Sequence, residues 1–157
     1  MKTSVYVETS VISYAAARQS RDLIVAAHQQ ITQEWWPFAM KRYRCYVSAV
    51  VLDEAMRGDR EMVVARKALL RGMPALEVTD GVRELAEYYM KKLSIPDKAQ
   101  ADAYHLALAV EHGMEFLVSW NMAHIVNGAV IRQLSILNEQ RGVGTPVICT
   151  PEELMEA

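Results

Sequence analysis

Short apolar runs alternate with stretches of helical periodicity along the whole chain, and that alternation leaves few architectures open. Ser4–Thr9 reads as a strand of β-branched and aromatic residues that turns polar at its end. Ser20 then precedes a helical pattern in which Leu23, Ala27, Ile31 and Trp35 recur on one face. Tyr43–Val47 reads as a second strand, with Ser48 placed to cap a helix carrying Val51, Leu52 and Ala55. A helix from about Glu61 to Leu70 is expected to stop at Gly72 and Pro74. Ala75–Val78 is a short strand, and Asp80 is placed to cap a helix through Leu85 and Tyr89. Past Pro96, Asp97–His112 reads as a helix closed by Gly113, with Asp97 in the position of its cap. Glu115–Trp120 reads as a buried strand, Gly128–Arg141 as a helix and Pro146–Cys149 as the last strand. Thr150-Pro151-Glu152-Glu153 carries the signature of a capping box.

Strands alternating with helices imply βα units, hence a mostly parallel sheet covered on both faces, a three-layer α/β/α fold. The length of 157 residues suits one such domain, and no Gly/Ser linker, repeat or low-complexity tract divides it. No apolar run reaches the roughly 18 residues that span a bilayer. Glu8 falls too early for a signal peptide, so a cytoplasmic location and no membrane partner are expected. Cys45 and Cys149 lie in apolar stretches without metal-ligand spacing, and both read as small buried hydrophobes. A net charge of −2 gives no bulk electrostatic pull toward nucleic acid, nor does it exclude a basic groove. There is no GxGxxG or GxxxxGK[ST] loop for phosphates.

In an open parallel sheet the functional crevice lies beyond the carboxyl ends of the strands. Glu8, Glu54 and Asn121 stand at or one element past such ends. Asp102 lies among alanines on an apolar helix, where a carboxylate is costly to bury without a partner. A metal ion would supply that partner; a solvent-facing Asp on an amphipathic helix is the plain alternative. Glu54 has Asp53 beside it, and spacing alone does not choose between them. His105 shares a helical face with Asp102 and is placed to donate to it or to touch a phosphate. His124 follows Asn121 by three residues and is a further candidate for the crevice. Arg18 and Arg57 are candidate phosphate contacts, against the default of solvated surface residues. Trp35 continues the apolar stripe of its helix, whereas Trp36 is open to a core or a partner role.

Four segments in register resemble PIN domains over essentially the whole chain. Val5-Tyr6-Val7-Glu8-Thr9-Ser10 resembles their opening strand, its terminal acid and the Thr/Ser small-residue turn that follows. Val51-Leu52-Asp53-Glu54-Ala55 resembles the second acidic segment, with Glu54 at the functional position. Ala101-Asp102-Ala103-Tyr104-His105 resembles the helix bearing the third acid, and Leu117-Val118-Ser119-Trp120-Asn121 the strand before the fourth. The resemblance implies a Mg²⁺- or Mn²⁺-dependent ribonuclease. Glu8 and Asp102 would then bind metal, Glu54 would bind metal or position water, and Thr9 and Ser119 would donate to the acids or to phosphate. It also implies an RNA substrate, a role as the toxin of a VapC-type toxin–antitoxin pair with an antitoxin protein as partner, and a homodimer. Two departures stand out: Glu8 replaces the usual Asp, and Asn121 replaces an acid, which leaves three carboxylates and favours one tightly held ion. A PIN-fold binding module for RNA or protein, its chemistry weakened at Asn121, is the competing expectation.

Overall fold

Parallel pairing organises the chain in the computed structural model, which describes residues 1–155. The strands are β1 (Ser4–Val7), β2 (Arg44–Ser48), β3 (Ala75–Leu76), β4 (Phe116–Val118) and β5 (Val147–Cys149). Between them run helices α1 (Thr9–Ala16), α2 (Leu23–Arg42), α3 (Ala49–Ala55), α4 (Arg60–Leu70), α5 (Asp80–Lys92), α6 (Gln100–Glu111) and α7 (Gly128–Gln140). The sheet order is β3-β2-β1-β4-β5, with every pair parallel. Right-handed crossovers then set the connections before β3 on one face and those after it on the other. The packing agrees: α1 lies against α2 and α4, and α5 lies along α6. The α/β architecture with helices on both faces is therefore as the alternation implied.

Val5, Tyr6 and Val7 are all fully buried, as expected for a central strand covered on both sides. Trp35 is the largest fully buried side chain, while Trp36 is half-buried and packs edge-on against it. Cys45 and Cys149 are free and buried, and burial pushes both thiols up to about 12.

Several local assignments differ from the sequence pattern. The segment after Glu8 is a helix rather than a turn. Thr, Val, Ile and Ser are poor intrinsic helix formers, but burial of Val11 and Ile12 and a Glu8 cap on the Ser10 N–H stabilise α1. Asp22 caps α2 through Ile24 and Val25, and Ser20 only accepts from the Asp22 N–H. Thr79 rather than Asp80 caps α5, donor and acceptor being Val82 N and Thr79 Oγ1 at 3.2 Å. Asp97 caps nothing: Asp97–Ala99 is a 3₁₀ turn without a side-chain cap, and α6 begins at Gln100. Thr150 and Glu153 do exchange capping-box hydrogen bonds, yet the described residues after them form only turns.

Candidate active site

The strand order reverses beside β1: the chain first moves outward to β2 and β3, then returns to β4 on the other side. Such a switch point opens a crevice at the carboxyl ends of the two strands. Glu8 and Ser119 are the residues immediately beyond those ends. The Glu8 N–H donates to Val118 O at 3.1 Å, extending the ladder by one residue and setting the two side chains next to each other. Ser119 Oγ donates to Glu8 Oε1 at 2.5 Å. Ser10 Oγ donates to the same oxygen at 2.5 Å and itself accepts from Trp120 N at 2.9 Å. Glu8 is only 5% exposed, so these donors replace the water that a carboxylate otherwise requires.

Glu54 reaches the same place from α3. That helix starts at Ser48, whose Oγ accepts from Val51 N at 3.2 Å. Its far end is held by Arg66 of α4, which donates to Ala55 O at 3.3 Å and Arg57 O at 2.8 Å. A guanidinium there satisfies carbonyls left over at the helix end and complements its negative pole. Glu54 Oε1 accepts from Thr9 Oγ1 at 2.6 Å and lies 2.7 Å from His105 Nε2. Glu54, not Asp53, is thus the inward residue of the pair; Asp53 pairs with Arg57 at 2.6 Å on the surface.

His105 is fully buried between the two glutamates, its Nε2 also lying 3.9 Å from Glu8 Oε2. Its Nδ1 is 2.6 Å from Tyr6 Oη, which in turn is 2.8 Å from Ser48 Oγ. Burial alone lowers the imidazole pKa. The Glu54 hydrogen bond and the charges of Glu8, Glu54 and Asp102 outweigh it, so the pKa is raised above 6.5. Glu54 moves the opposite way: burial raises its pKa, but the hydrogen bond and charge of His105, with Thr9 and Arg57, bring it below 4.5. The relay accommodates either charge state. An imidazolium donates at both nitrogens, with the Tyr6 hydroxyl turned toward Ser48. A neutral ring keeps its Nε2 proton on Glu54 and accepts from Tyr6, with Ser48 donating to Tyr6. Burial and the neighbouring Glu8 and Glu54 charges, only partly offset by Ser48, raise the Tyr6 pKa well above 10, so the phenol stays protonated.

Among the described residues, Glu8, Glu54 and His105 are the group whose ligand atoms all fall within 4.8 Å of one another. Asp102 stands outside this tight group, one turn before His105 on α6. Its carboxylate bonds His124 Nδ1 at 2.9 Å and contributes to the field at His105. The expected pairing of His105 with Asp102 is therefore replaced by two pairs, His105–Glu54 and His124–Asp102. Asn121 spends its amide oxygen on the Ala123 and His124 N–H groups, at 3.2 and 3.1 Å. Arg18 pairs with Asp59 and Glu61, and it and Arg57 are about as exposed, at 70% and 72% of the side chain. Ser10, Tyr6 and Ser48 were not singled out from the sequence as site residues. Tyr6 carried a signal, being a hydroxyl in the middle of an otherwise aliphatic central strand, where it needs a buried partner.

Comparison with known proteins follows the same lines. The PIN domain family model matches residues 5–121, a span that starts in β1 and takes in Glu8, Glu54, Asp102, His105 and Asn121. In three dimensions the chain is similar to VapBC2 from Rickettsia felis bound to a DNA fragment from their promoter. The TM-score is 0.60 at 11% identity, covering 94% of this chain and 98% of that one. A member of the VapBC family of toxin-antitoxin systems from Mycobacterium tuberculosis, VapBC-5, aligns at a TM-score of 0.48 and 14% identity. That alignment covers 81% of this chain and 93% of the other. No curated protein matches the sequence. With well over half its length matched by the family model, the chain belongs to the PIN domain family.

Proposed function

We propose that this protein is a divalent-metal-dependent endoribonuclease, acting in one PIN-like domain over residues 1–157. The observation that carries this reading is the convergence of Glu8, Glu54 and His105 at the sheet's switch point, with Asp102 on the adjoining turn. The donor set fits a hard cation. Carboxylate oxygens dominate it, and Mg²⁺ or Mn²⁺ takes one or two carboxylates together with water and phosphate oxygens. Glu8, Glu54 and Asp102 would hold the ion, which when bound polarises a phosphate oxygen and lowers the pKa of water. Ser10 and Ser119 fix the Glu8 carboxylate, and Thr9 fixes that of Glu54. His105, between the glutamates, holds a proton at Nε2 toward Glu54, and its raised pKa favours the charged ring beside the two acids. Arg18 and Arg57 sit on the surface and would reach phosphate only by leaving their carboxylate partners.

On the same reading the substrate is RNA, and the chain works as a homodimer with an antitoxin protein as its natural inhibitor. The resemblance of the four segments to PIN domains, which include the VapC-type toxins, supports this. A second reading, a PIN-fold binding module for RNA or protein, is favoured by one observation. Where the resemblance leads to an acid, Asn121 stands, with its oxygen committed to backbone N–H groups.

The experiment is cleavage of single-stranded RNA and of DNA of the same sequence, with Mn²⁺, Mg²⁺ or EDTA, by wild-type, Glu8→Gln and Asp102→Asn proteins. The nuclease reading expects metal-dependent cleavage of RNA, abolished by each substitution while the thermal transition is kept. Full cleavage by pure Asp102→Asn protein removes that residue from the mechanism. No cleavage by wild type under any metal, with RNA still bound, establishes the binding module instead.

A further inference from the structure

The loop leaving β4 touches two of the acids at once. Ser119 Oγ, which donates to Glu8, also accepts from the Asn121 N–H at 2.9 Å. Asn121 then closes a tight turn from both of its oxygens. Its Oδ1 takes the Ala123 and His124 N–H groups, and its backbone carbonyl takes those of Ile125 and Val126 at 3.1 and 2.8 Å. Asn127 Nδ2 adds a bond to Met122 O at 3.0 Å, and fully buried Ile125 anchors the turn in the core. His124 is carried on this turn, and its Nδ1 lies 2.9 Å from Asp102 Oδ2. The carboxylate can only accept, so Nδ1 carries the proton in this bond.

We propose that His124 is a positioning residue for Asp102, and that the Asn121 side chain positions His124. One turn thereby sets the orientation of Glu8 through Ser119 and of Asp102 through His124. Asp102 needs such a device. Its side chain is 18% exposed, His124 is its hydrogen-bond partner among the described residues, and without that bond the carboxylate is free to turn about χ1 and χ2. With Oδ2 held by the imidazole, Oδ1 has a fixed direction. Hydrogen-bond partners of this kind orient metal ligands, and losing one typically costs about 10- to 100-fold in metal affinity. The proposal also gives Asn121 a use that requires an acceptor oxygen and no charge. It rests on the metal-site reading above for its functional consequence, but not for the contact itself.

Two substitutions separate the donor from the ring. Asn can present its Nδ2 where His presents Nδ1, whereas Gln extends its amide to the place of Nε2. Mn²⁺ affinity is measured by electron paramagnetic resonance titration of the full chain. Wild type and His124→Asn should agree within about threefold, while His124→Gln and Asn121→Ala weaken binding about 10- to 100-fold. Adding His124→Gln to Asp102→Ala should cost nothing more. Equal Mn²⁺ affinity in His124→Gln and wild type overturns the positioning role and leaves the metal site standing. If wild type binds no Mn²⁺, the metal reading fails and the contact is judged on metal-free protein. A urea midpoint lowered by His124→Gln, but unmoved by it in the Asp102→Ala background, supports the contact; equal shifts in both backgrounds overturn it.

Discussion

Removal of a single oxygen, Tyr6→Phe, is the most economical probe of the buried relay. The ring is fully buried, so the substitution keeps the packing of β1 and water has no route to replace the hydroxyl. Two hydrogen bonds vanish, to Ser48 Oγ at 2.8 Å and to His105 Nδ1 at 2.6 Å. Ser48 retains the Val51 N–H, so its loss is modest. His105 Nδ1 retains nothing. Leaving a buried polar atom unsatisfied costs about 1–3 kcal/mol, and bonds to charged groups are at the upper end of the range. Against this, Phe carries no hydroxyl to desolvate, which offsets part of the loss. The net expectation is about 2 kcal/mol, or roughly 4–8 °C in melting temperature for a domain of this size. A second consequence distinguishes the relay from simple packing. The imidazolium loses its acceptor at Nδ1, so the His105 pKa falls, which ¹⁵N-detected titration of the ring reads directly. A Tyr6→Phe protein that melts within about 1 °C of wild type, with an unmoved imidazole, would falsify the relay as a source of stability.

The remaining expectations concern pH and the far end of α3. His105 has a raised pKa, so its contribution is complete below the unfolded imidazole value of about 6.5 and is lost as pH rises through the higher folded value. Glu54 has a lowered pKa, so its contribution is present above about 4.3 and is lost as pH falls through the folded value. Metal-free protein should therefore unfold at higher urea at pH 6 than at pH 8.5, and His105→Gln should flatten that difference; a wild-type profile already flat or rising there contradicts the pair. Arg66→Ala removes the donor to Ala55 O and Arg57 O and should cost about 1–2 kcal/mol. Amide exchange should quicken first in α3, and uniform quickening across the sheet would assign Arg66 to general packing instead.

Periodicity carried most of the fold because the strands are central and buried on both faces. Val5-Tyr6-Val7 and Phe116-Leu117-Val118 have almost no polar alternatives, and the helices between them are long enough for a stripe to register. α1 was invisible on the same logic. Six of its eight residues, Thr9-Ser10-Val11-Ile12-Ser13-Tyr14, are weak helix formers, and its cap, Glu8, is not among the residues that usually cap helices. The missed caps at Asp22 and Thr79 have a simpler cause. Two adjacent or near-adjacent side chains were each chemically able to cap, and only backbone dihedrals distinguish Thr79 from Asp80 or Asp22 from Ser20.

The site was legible up to the point at which pairwise geometry takes over. Position at the carboxyl ends of strands located Glu8, and register within a family-like segment preferred Glu54 to Asp53. What spacing does not convey is which acid meets which base. His105 and Asp102 are one helical turn apart, and in an isolated helix they would be each other's nearest partners. Here α3 approaches α6 and brings Glu54 to 2.7 Å from His105, while the loop after β4 brings His124 to 2.9 Å from Asp102. Desolvation explains why the long-range pairing prevails. A fully buried imidazole has no water to turn to, and Glu54 and Glu8 both approach its Nε2, at 2.7 and 3.9 Å. Asp102, released from His105, can then be held by a different histidine. The consequence is a site in which each acid already has hydrogen-bond partners before any ion enters, with one histidine in the core between Glu8 and Glu54 and another beside Asp102.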